Sequence, residues 1–299
     1  MDFLCIDIGG TTIKYGVISK DMLLKELYTV RTPKNYKDFL EEIKNISSGF
    51  SYTKAVGVGY PGAYDFMNDL MLYAPNLDFL NGRKLHAEIA KFIDNPVFIE
   101  NDANLAALGE YTIIEQGAVD NMLFITLGTG VGGGAIVNRQ LFTGSITAFE
   151  AGHTTIDYSG RQCNCGRLGC LETYCCENGI LTTFEEISQN RKSDISKLTQ
   201  LAECGDMSAV KTFDLFSKHL AAGIADCINL LAPEKVKIGG GLSHLHRFFL
   251  DITEQNLKEL VYPAYRNKFK LLPAELDNKA GVYGAAALCR QRYRDGQKP

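Results

Sequence analysis

No apolar run in this chain of 299 residues approaches the length of about 18 residues that a membrane-spanning helix needs. The N-terminus lacks the charged segment and short apolar segment of a secretory signal peptide, and a strand pattern begins at once. Basic residues are not in excess either, since 31 Lys and Arg stand against 35 Asp and Glu. We therefore expect a soluble cytoplasmic protein with no membrane partner and no nucleic-acid partner.

Long linkers and low-complexity tracts are also missing, so any join between domains must be short. The chain is longer than one hydrophobic core usually serves, and 45% of its residues are hydrophobic, which favours two domains. We place the joins near Asp120 and Ala280. This predicts a small α/β domain of residues 1–119, completed by a C-terminal helix at 281–299, and a large domain of residues 120–280.

Strand and helix patterns alternate along the chain, which predicts an α/β fold. Residues 55–59 and 96–100 are short apolar runs typical of buried strands, and the pattern after the second predicts a helix over 103–114. Asp206 is a candidate N-cap, and the apolar residues after it recur three or four apart. That spacing predicts a long helix with one buried stripe.

One histidine and three cysteines gather in a single stretch that two carboxylates flank. His153, Cys163, Cys165 and Cys170 offer four ligands, the number that a tetrahedral structural zinc takes. Gly166 and Gly169 let the backbone turn sharply enough for thiols on both sides to face one ion. A metal here would hold Glu150 and Glu172 beside a rigid polar pocket.

Two other interpretations of this stretch stay open. The Cys-x-Cys pair is tighter than the usual zinc spacing, so a chance cluster among nine cysteines is one alternative. Disulfides are the other, and they fit poorly with a chain that has no signal peptide. We expect Cys5, Cys204, Cys227 and Cys289 to be small core residues, and we leave Cys175 and Cys176 unassigned.

Residues 3–18 and 122–137 resemble each other, each with an apolar strand, a Gly/Thr turn and a second strand. Such a hairpin presents backbone N–H groups at its tip, and this suits a phosphate chain. A glycine-rich hairpin can also be only a tight turn, but its duplication favours a site. Residues 239–241 are three glycines after a strand pattern at 236–238, and they also allow a ligand to approach the backbone closely.

Asp102 stands where a predicted strand passes into a predicted helix, in the run Glu-Asn-Asp-Ala-Asn. It is at the position of an N-cap and could serve only as one. A carboxylate at the carboxyl end of a strand in an open α/β sheet also lies where ligands usually bind. There it could accept a proton from an attacking hydroxyl.

Six motifs spread over nearly the whole chain resemble those of the ROK family of sugar kinases. They are Asp7-Ile-Gly-Gly-Thr-Thr-Ile-Lys14, Glu100-Asn-Asp-Ala-Asn104, Leu127-Gly-Thr-Gly130, Glu150-Ala-Gly-His153, the run from Cys163 to Glu172, and Gly239-Gly-Gly241. The resemblance implies an actin-like, hexokinase-like fold of two α/β domains. The family also includes repressors with an N-terminal helix-turn-helix, which we do not expect here because the chain starts at the first strand.

The resemblance also implies a role for each matching residue. Asp102 would be the catalytic base, and Asp7 would hold Mg²⁺ through water. The sugar would be bound by Asn76, Asn101, Glu150, His153 and Glu172. The phosphates of ATP would be bound by Gly9, Gly10, Thr11, Thr12, Lys14, Gly128, Thr129 and Gly130, and its nucleoside by Gly239, Gly240 and Gly241. His153 would bind zinc with one ring nitrogen and the sugar with the other.

Taken together, these features predict an ATP-dependent hexose kinase that phosphorylates the 6-hydroxyl of glucose and requires Mg²⁺ and a structural Zn²⁺. N-acetylmannosamine and β-glucosides are alternative substrates. Phe149 stands before Glu150 where many ROK members have a small residue, and the larger Phe149 side chain can crowd the sugar. A non-catalytic regulator that binds sugar or nucleotide is the alternative class. We also expect a homodimer.

Overall fold

The computed structural model describes residues 1–294, which divide into two compact units. The first unit comprises Met1–Ala118, Gln140–Phe149 and the described residues from Leu276 onward, and the second comprises Val119–Arg139 and Glu150–Glu275. The segment at 140–149 thus belongs to the first unit, although the sequence pattern places no boundary there. None of the helices described is both long enough and apolar enough to cross a membrane.

The first unit contains a five-stranded sheet in the order β3-β2-β1-β4-β7. Its strands, with a separate hairpin of β5 and β6, are β1 (Asp2–Ile8), β2 (Thr12–Ser19), β3 (Leu24–Arg31), β4 (Ala55–Tyr60), β5 (Ala63–Asp65), β6 (Leu70–Tyr73) and β7 (Val97–Asn101). The first three strands are antiparallel, whereas β4 and β7 run parallel to β1. The predicted strands at 55–59 and 96–100 are therefore present, the second beginning one residue later.

The N-terminal part of this unit has three α-helices, α1 (Tyr36–Gly49), α2 (Leu85–Ala90) and α3 (Asp102–Glu110), and a 3₁₀ turn at Asp78–Leu80. Side chains of β1 and β4, such as Ile6 and Val58, join Phe39 of α1 in a fully buried core. The helix predicted over 103–114 is shorter than expected. Regular α-helix ends at Glu110, a π-helical turn follows over Tyr111–Glu115, and Gln116 ends it in the left-handed conformation with φ 48°.

The second unit is built on a sheet in which β9, β8, β11 and β12 are neighbours in that order. The strands that follow β7 in the chain are β8 (Met122–Leu127), β9 (Val131–Val137), β10 (Gln140–Leu141, in the first unit), β11 (Lys235–Gly239) and β12 (Lys270–Pro273). β8 and β9 form an antiparallel hairpin, and β11 lies parallel to both β8 and β12. The two sequence segments that resemble each other are thus two hairpins, β1–β2 and β8–β9.

Five α-helices belong to the second unit: α4 (Glu172–Cys175), α5 (Glu177–Ile187), α6 (Ile195–Glu203), α7 (Met207–Leu231) and α8 (His246–Leu260). Short 3₁₀ turns occupy Ala151–His153, Ser243–Leu245 and Pro263–Tyr265. Asp206 caps α7 as predicted, accepting the N–H groups of Ser208 and Ala209 at 3.0 and 3.1 Å. The three glycines, of which Gly239 is the last residue of β11, lead first into a 3₁₀ turn, and α8 begins only at His246.

The chain returns to the first unit through a 3₁₀ turn at Asp277–Lys279 and a last helix, α9 (Ala280–Arg294). This helix packs on α3 and on β1 and β4. Its contact with α3 brings the two backbones together, because a Cβ on Gly284 would lie 1.8 Å from the carbonyl oxygen of Leu105. A Cβ on Gly109 would similarly lie 2.2 Å from the carbonyl oxygen of Ala280. Glycine at both positions permits this close approach. The packing of α9 against α3 in turn holds the start of α3 at its place on the sheet.

Candidate active site

The tip of the β1–β2 hairpin is a tight turn of Gly9, Gly10 and Thr11. The Gly9 N–H donates to the carbonyl oxygen of Thr12 at 2.9 Å, and the Thr32 hydroxyl donates to the carbonyl oxygen of Gly9 at 2.6 Å. A Cβ on Gly10 would lie 2.7 Å from the Cβ of Asn76. The turn and Asn76, which the sequence places far apart, therefore lie against each other.

Asp7 and Lys14 face each other across the strands of this hairpin. The Asp7 carboxylate also lies at the N-terminal turn of α9, since a Cβ on Gly281 would be 2.6 Å from Asp7 Oδ2. A helix N-terminus favours a negative charge. Burial nevertheless raises the pKa of Asp7, and the nearby charge of Lys14 offsets only part of that rise.

The structure shows that Asp102 is not the N-cap of α3, which corrects the interpretation that it serves only as a cap. Asn101 is the N-cap of α3, because its Oδ1 accepts the N–H groups of Ala103 at 2.9 Å and Asn104 at 3.1 Å. Its Nδ2 donates to the carbonyl oxygen of Gly62 at 3.0 Å. Asp102 is the first residue of α3, directly after the carboxyl end of β7, and its Oδ1 accepts the N–H of Ala103 at 2.9 Å, but it is not the N-cap residue.

Glu100 supports this turn from within the protein, a role that sequence reasoning missed. Its side chain is 3% exposed, and Oε1 accepts the N–H of Asn101 at 2.9 Å and the amide of Asn104 at 3.1 Å. Burial raises the pKa of Glu100, although these hydrogen bonds and the charge of Arg292 act in the opposite direction. A signal was available, since the apolar pattern of β7 gives way to a run of polar residues before a helix.

The glycine turn of the β8–β9 hairpin is held on three sides within the second unit. The Gly128 N–H donates to the carbonyl oxygen of Gly130 at 3.0 Å, and the Glu177 N–H donates to that of Gly128 at 2.8 Å. Glu172 Oε2 accepts the N–H of Val131 at 2.9 Å. Thr129 at the tip is exposed, so the turn presents its backbone to solvent.

Gly239, Gly240 and Gly241 lie beside that turn. Gly240 has φ 84°, and a Cβ there would lie 2.4 Å from the carbonyl oxygen of Leu127. The Leu242 N–H donates to that same oxygen at 2.9 Å. Two of the three glycine segments of the sequence thus adjoin at the carboxyl ends of β8 and β11, as a nucleotide site in an α/β fold requires.

The four predicted zinc ligands lie together in the second unit. The ligand atoms of His153, Cys163, Cys165 and Cys170 are all within 4.8 Å of one another. Nδ1 of His153 is 3.7 Å from the Cys163 sulfur, and the Cys165 and Cys170 sulfurs are 3.6 Å apart. Three sulfurs and one imidazole nitrogen at such separations fit a tetrahedral zinc.

The loop that carries the four predicted ligands, residues 153–170 and called the zinc loop after that prediction, turns at two glycines. Gly166 and Gly169 are left-handed, with φ 89° and 66°. A Cβ on Gly169 would lie 1.5 Å from the carbonyl oxygen of Asp157, so no larger residue fits there. Two backbone hydrogen bonds close the loop. The Cys163 N–H donates to the carbonyl oxygen of Arg167 at 2.9 Å, and the Gly169 N–H donates to the carbonyl oxygen of Arg161 at 2.8 Å.

Arg161 ties this loop to the helices that follow it, and sequence reasoning missed it. Its guanidinium donates to the carbonyl oxygens of Thr173 and Gly179, each at 3.0 Å, and to the Thr183 hydroxyl at 2.9 Å. It also lies 4.8 Å from the centre of the Tyr174 ring. Because Thr173 follows Glu172, this network fixes the short helix α4 that carries the Glu172 carboxylate.

Glu150, His153 and Glu172 form one electrostatic group beside the zinc loop. The His153 N–H donates to the carbonyl oxygen of Glu150 at 3.0 Å. Desolvation by surrounding protein raises the pKa of Glu150, His153 lowers it and Glu172 raises it further. The Glu150 residue nevertheless keeps contact with solvent, as expected for a group that meets a ligand.

The remaining cysteines follow the predictions with one exception. Cys5, Cys227 and Cys289 are buried core residues, but Cys204 is exposed because it is the C-cap residue after α6, past the buried face of that helix. Cys175 and Cys176 lie outside the cluster of three cysteines and His153. The Cys175 thiol donates to the Phe216 carbonyl oxygen at 3.8 Å, and the Cys176 sulfur caps α5 by accepting the Gly179 N–H at 3.3 Å.

The sequence and the fold of this chain are similar to those of known proteins. The sequence profile of the ROK family matches residues 3–292. The chain belongs to the ROK family. A glucokinase of Thermotoga maritima is 31% identical over 308 aligned residues, which cover 96% of each protein. ROK members also include repressors: the xylose repressor of Bacillus subtilis is 28% identical over 80% of this chain, which matches 62% of the repressor.

A solved ROK structure resembles the fold closely. The ROK glucokinase of Streptomyces griseus in complex with glucose and AMPPNP has a TM-score of 0.83 at 30% identity, covering 97% of this chain and all of that one. The predicted hexokinase-like α/β fold and the resemblance to the ROK family are therefore confirmed.

Proposed function

We propose that this ROK protein is an ATP-dependent hexose kinase that transfers the γ-phosphoryl group of ATP to the 6-hydroxyl of glucose. The observation that carries the proposal is the turn after β7. Asn101 takes the capping role there, and Asp102 is left at the carboxyl end of a parallel strand. Glucokinases with about the same length and 31% identity support the same conclusion.

In this proposal Asp102 accepts the proton of the sugar 6-hydroxyl as that oxygen attacks the γ-phosphorus. A positioned base of this kind contributes roughly 10² to 10⁴ in rate. Asn101 and Glu100 keep the turn in place through the hydrogen bonds described above. Alignment of hydroxyl and phosphate contributes the rest, up to about 7–11 kcal/mol in well-oriented systems.

The glycine turns are the proposed phosphate and nucleoside sites. Gly9, Gly10, Thr11, Thr12 and Lys14 would bind phosphate from the first unit, and Gly128, Thr129 and Gly130 from the second. The bare backbone of Gly239, Gly240 and Gly241 would approach the nucleoside. Mg²⁺ would neutralise charge on the phosphates when bound, and the Asp7 carboxylate fits a role in holding it through water because it lies at the end of β1 beside Gly9.

Zinc in this proposal is structural, held by His153, Cys163, Cys165 and Cys170. Four protein ligands leave the ion no open position for substrate. Since the His153 Nδ1 faces the sulfurs, its Nε2 is left for the sugar. The metal would thereby orient the imidazole and, through the loop that Arg161 anchors, the Glu172 carboxylate.

The sugar site would combine Asn76, Glu150, His153 and Glu172, with Asn101 contributing the remaining hydrogen of its amide. Carboxylates accept charge-assisted hydrogen bonds from hydroxyls. A site built to bond a hydroxyl rejects an analogue without it by as much as about 10⁴. We therefore expect good use of glucose, weaker use of 2-deoxyglucose and poor use of methyl glucosides.

A sugar panel tests this proposal. The purified protein would be assayed for ADP release with glucose, 2-deoxyglucose, methyl glucoside, N-acetylmannosamine and an aryl β-glucoside, and the phosphorylated carbon identified by NMR. Glucose should have the highest kcat/KM. A kcat/KM about tenfold higher for N-acetylmannosamine or the β-glucoside than for glucose would support the kinase activity but overturn the assignment of glucose as the substrate. Absence of turnover with every sugar would favour a binding regulator instead.

A further inference from the structure

The carboxylate of Glu172 lies against the glycine turn of the β8–β9 hairpin, which the proposed function assigns to phosphate. A Cβ on Gly130 would lie 2.6 Å from Glu172 Oε2, so the two residues are side by side. The same oxygen accepts the N–H of Val131 at 2.9 Å. Val131 begins β9 directly after the turn. The carboxylate assigned to the sugar therefore also holds the exit of the phosphate turn.

Hydrogen bonds of two kinds fix the backbone of this turn. The Gly128 N–H donates to the carbonyl oxygen of Gly130, and the Glu177 N–H donates to that of Gly128. Both are backbone bonds, which a change of side chain leaves in place. The bond from Val131 instead ends on the carboxylate of Glu172, and a charged acceptor makes the stronger hydrogen bond. Val131 is 4% exposed, so loss of this acceptor takes a hydrogen bond from a buried N–H.

The backbone on both sides of Glu172 is held in place. Leu171 is buried and packs closely on α7, since a Cβ on Gly223 would lie 2.5 Å from Leu171 Cδ2. The Thr173 hydroxyl donates to the carbonyl oxygen of Cys170 at 2.7 Å. A carboxylate on a fixed backbone positions its partner more closely than one on a mobile segment. Glu172 therefore has the support that a positioning role needs.

Val131 also contacts the segment that carries the other proposed sugar ligands of the second unit. A Cβ on Gly152 would lie 1.9 Å from the carbonyl oxygen of Val131. Gly152 belongs to the 3₁₀ turn that follows Glu150 and ends at His153. The N–H of Val131 thus meets Glu172, while its carbonyl oxygen meets the turn between Glu150 and His153. The proposed sugar ligands and the phosphate turn adjoin at this one buried residue.

We propose that Glu172 is a positioning residue for the phosphate turn, in addition to its proposed role as a sugar ligand. This inference rests on the proposed kinase function, which assigns both ligands. By accepting the Val131 N–H, Glu172 keeps the backbone N–H groups of the turn arranged for nucleotide phosphates. Its negative charge does not help in that task, because a carboxylate beside phosphates repels them. The nucleotide requires the hydrogen-bond acceptor of Glu172 and not its charge.

Two substitutions separate the acceptor from the charge. Glu172→Gln keeps an oxygen that can accept the Val131 N–H, whereas Glu172→Ala removes both the acceptor and the charge. Binding of AMPPNP with Mg²⁺ to the full chain would be measured calorimetrically without sugar, so that neither turnover nor sugar affinity enters the result. Glu177→Ala is the matched control, because the Glu177 side chain is exposed and its backbone N–H still donates to Gly128.

We expect Glu172→Ala to bind AMPPNP about tenfold more weakly than the wild type, as loss of a hydrogen bond to a charged group predicts. Glu172→Gln should bind it at least as tightly as the wild type, and Glu177→Ala should match the wild type. The sugar KM should rise in both Glu172 variants, since an amide lacks the charge that strengthens bonds to hydroxyls. Nucleotide affinity thus follows the acceptor, and sugar KM follows the charge.

A double-mutant cycle with Gly130→Ala tests the contact itself. Gly130 is not left-handed, so Ala introduces no backbone strain there. The added Cβ meets the Glu172 carboxylate in the wild type but finds room in the Glu172→Ala background. We therefore expect Gly130→Ala to weaken AMPPNP binding in the wild type and to add little in that background. Costs that simply add would contradict the contact.

Equal AMPPNP affinity in the wild type and in a folded Glu172→Ala protein would overturn the proposal and leave Glu172 as a sugar ligand alone. If Glu172→Ala does not fold, Glu172→Gln still decides, because weaker AMPPNP binding in that variant contradicts the proposal. Failure of the kinase proposal has a different signature: the sugar panel would show no turnover while Glu172→Gln still binds AMPPNP and Glu172→Ala does so weakly. A wild type that binds no AMPPNP would overturn both.

Discussion

Asp102 and Asn101 divide two tasks between neighbouring residues, one capping the helix and the other facing the end of the strand. Replacing Asp102 by Asn should leave the fold and sugar binding intact, because Asn101 still caps α3. Without a base, kcat should fall by roughly 10² to 10⁴. Steady-state kinetics and calorimetric sugar binding would check this, with Asp94→Asn as an exposed control before β7. A kcat within about threefold of the wild type would leave Asp102 without its assigned role.

Glu100 should make stability depend on pH in a defined direction. Burial raises its pKa in the folded protein, so the folded state binds the proton more tightly than the unfolded state. The ionised carboxylate therefore costs stability, and this cost grows as pH rises from the unfolded pKa through the folded pKa. Glu100→Gln keeps an acceptor for Asn101 and Asn104 without the charge.

We expect Glu100→Gln to be more stable than the wild type at neutral pH, with the difference shrinking as pH falls and Glu100 becomes protonated. Urea unfolding at a series of pH values measures this. Glu41→Gln is the control, at an exposed position on α1 of the same unit. A difference that stays constant with pH, or that grows toward acid, would contradict the assigned direction.

Local residues were predicted well and residues that act at a distance were not. The four proposed zinc ligands cluster as predicted, because they and the two glycines between them lie in one short stretch whose spacing carries the geometry. Arg161 lies in the same stretch, but its partners Thr183 and Gly179 belong to a later helix that sequence spacing does not place beside it. Cys204 was wrong because an apolar helix pattern does not show that the helix ends before it.

At the scale of single elements, the zinc loop should depend on its metal. Cys165→Ser removes one sulfur ligand, so we expect loss of zinc and a higher sugar KM as Glu172 loses its anchor. Metal analysis of the purified protein, at one zinc per wild-type chain, measures the first effect and kinetics the second. Cys204→Ser changes an exposed cysteine and should keep full zinc. Full zinc in the Cys165→Ser protein would refute the ligand set.

The contact between α3 and α9 should tolerate no side chain at its closest point. Gly284→Ala places a Cβ against the Leu105 carbonyl oxygen, between two helices that both also pack on the sheet. We expect a loss of about 1–3 kcal/mol in the free energy of unfolding, as overpacking predicts, and a lower kcat because α3 carries Asp102. Gly49→Ala at the end of α1, where nothing lies within 4 Å, is the control and should be nearly neutral.

At the scale of the whole molecule, the two related hairpins could be predicted because each repeats the same run of strand, glycine turn and strand. The partners of those hairpins could not. Parallel pairing of β1 with β4, and of β8 with β11, joins residues far apart in the chain, and strand patterns carry no information on which strand lies beside which. For the same reason, the sequence pattern does not show that Gln140–Phe149 belongs to the first unit.

Removing α9 should damage one unit and spare the other. A chain ending after Lys279 lacks the helix that packs on β1, β4 and α3, so we expect the first unit to become sensitive to protease. The second unit contains all four proposed zinc ligands, so we expect it to keep one zinc per chain. Limited proteolysis with metal analysis measures both, and a chain ending after Arg294 is the control. Equal protease resistance of the two chains would refute the assignment.

The late position of α9 sets the order in which the protein can be made. A ribosome releases β1, β4 and α3 long before the helix that covers them, since the helix begins at Ala280 and synthesis proceeds from the N-terminus. One face of the sheet in the nascent first unit therefore stays uncovered until the whole second unit has been synthesised. Premature termination anywhere before α9 thus leaves an exposed apolar face that quality-control proteases can recognise. Only synthesis through α9 can complete the unit that holds Asp102.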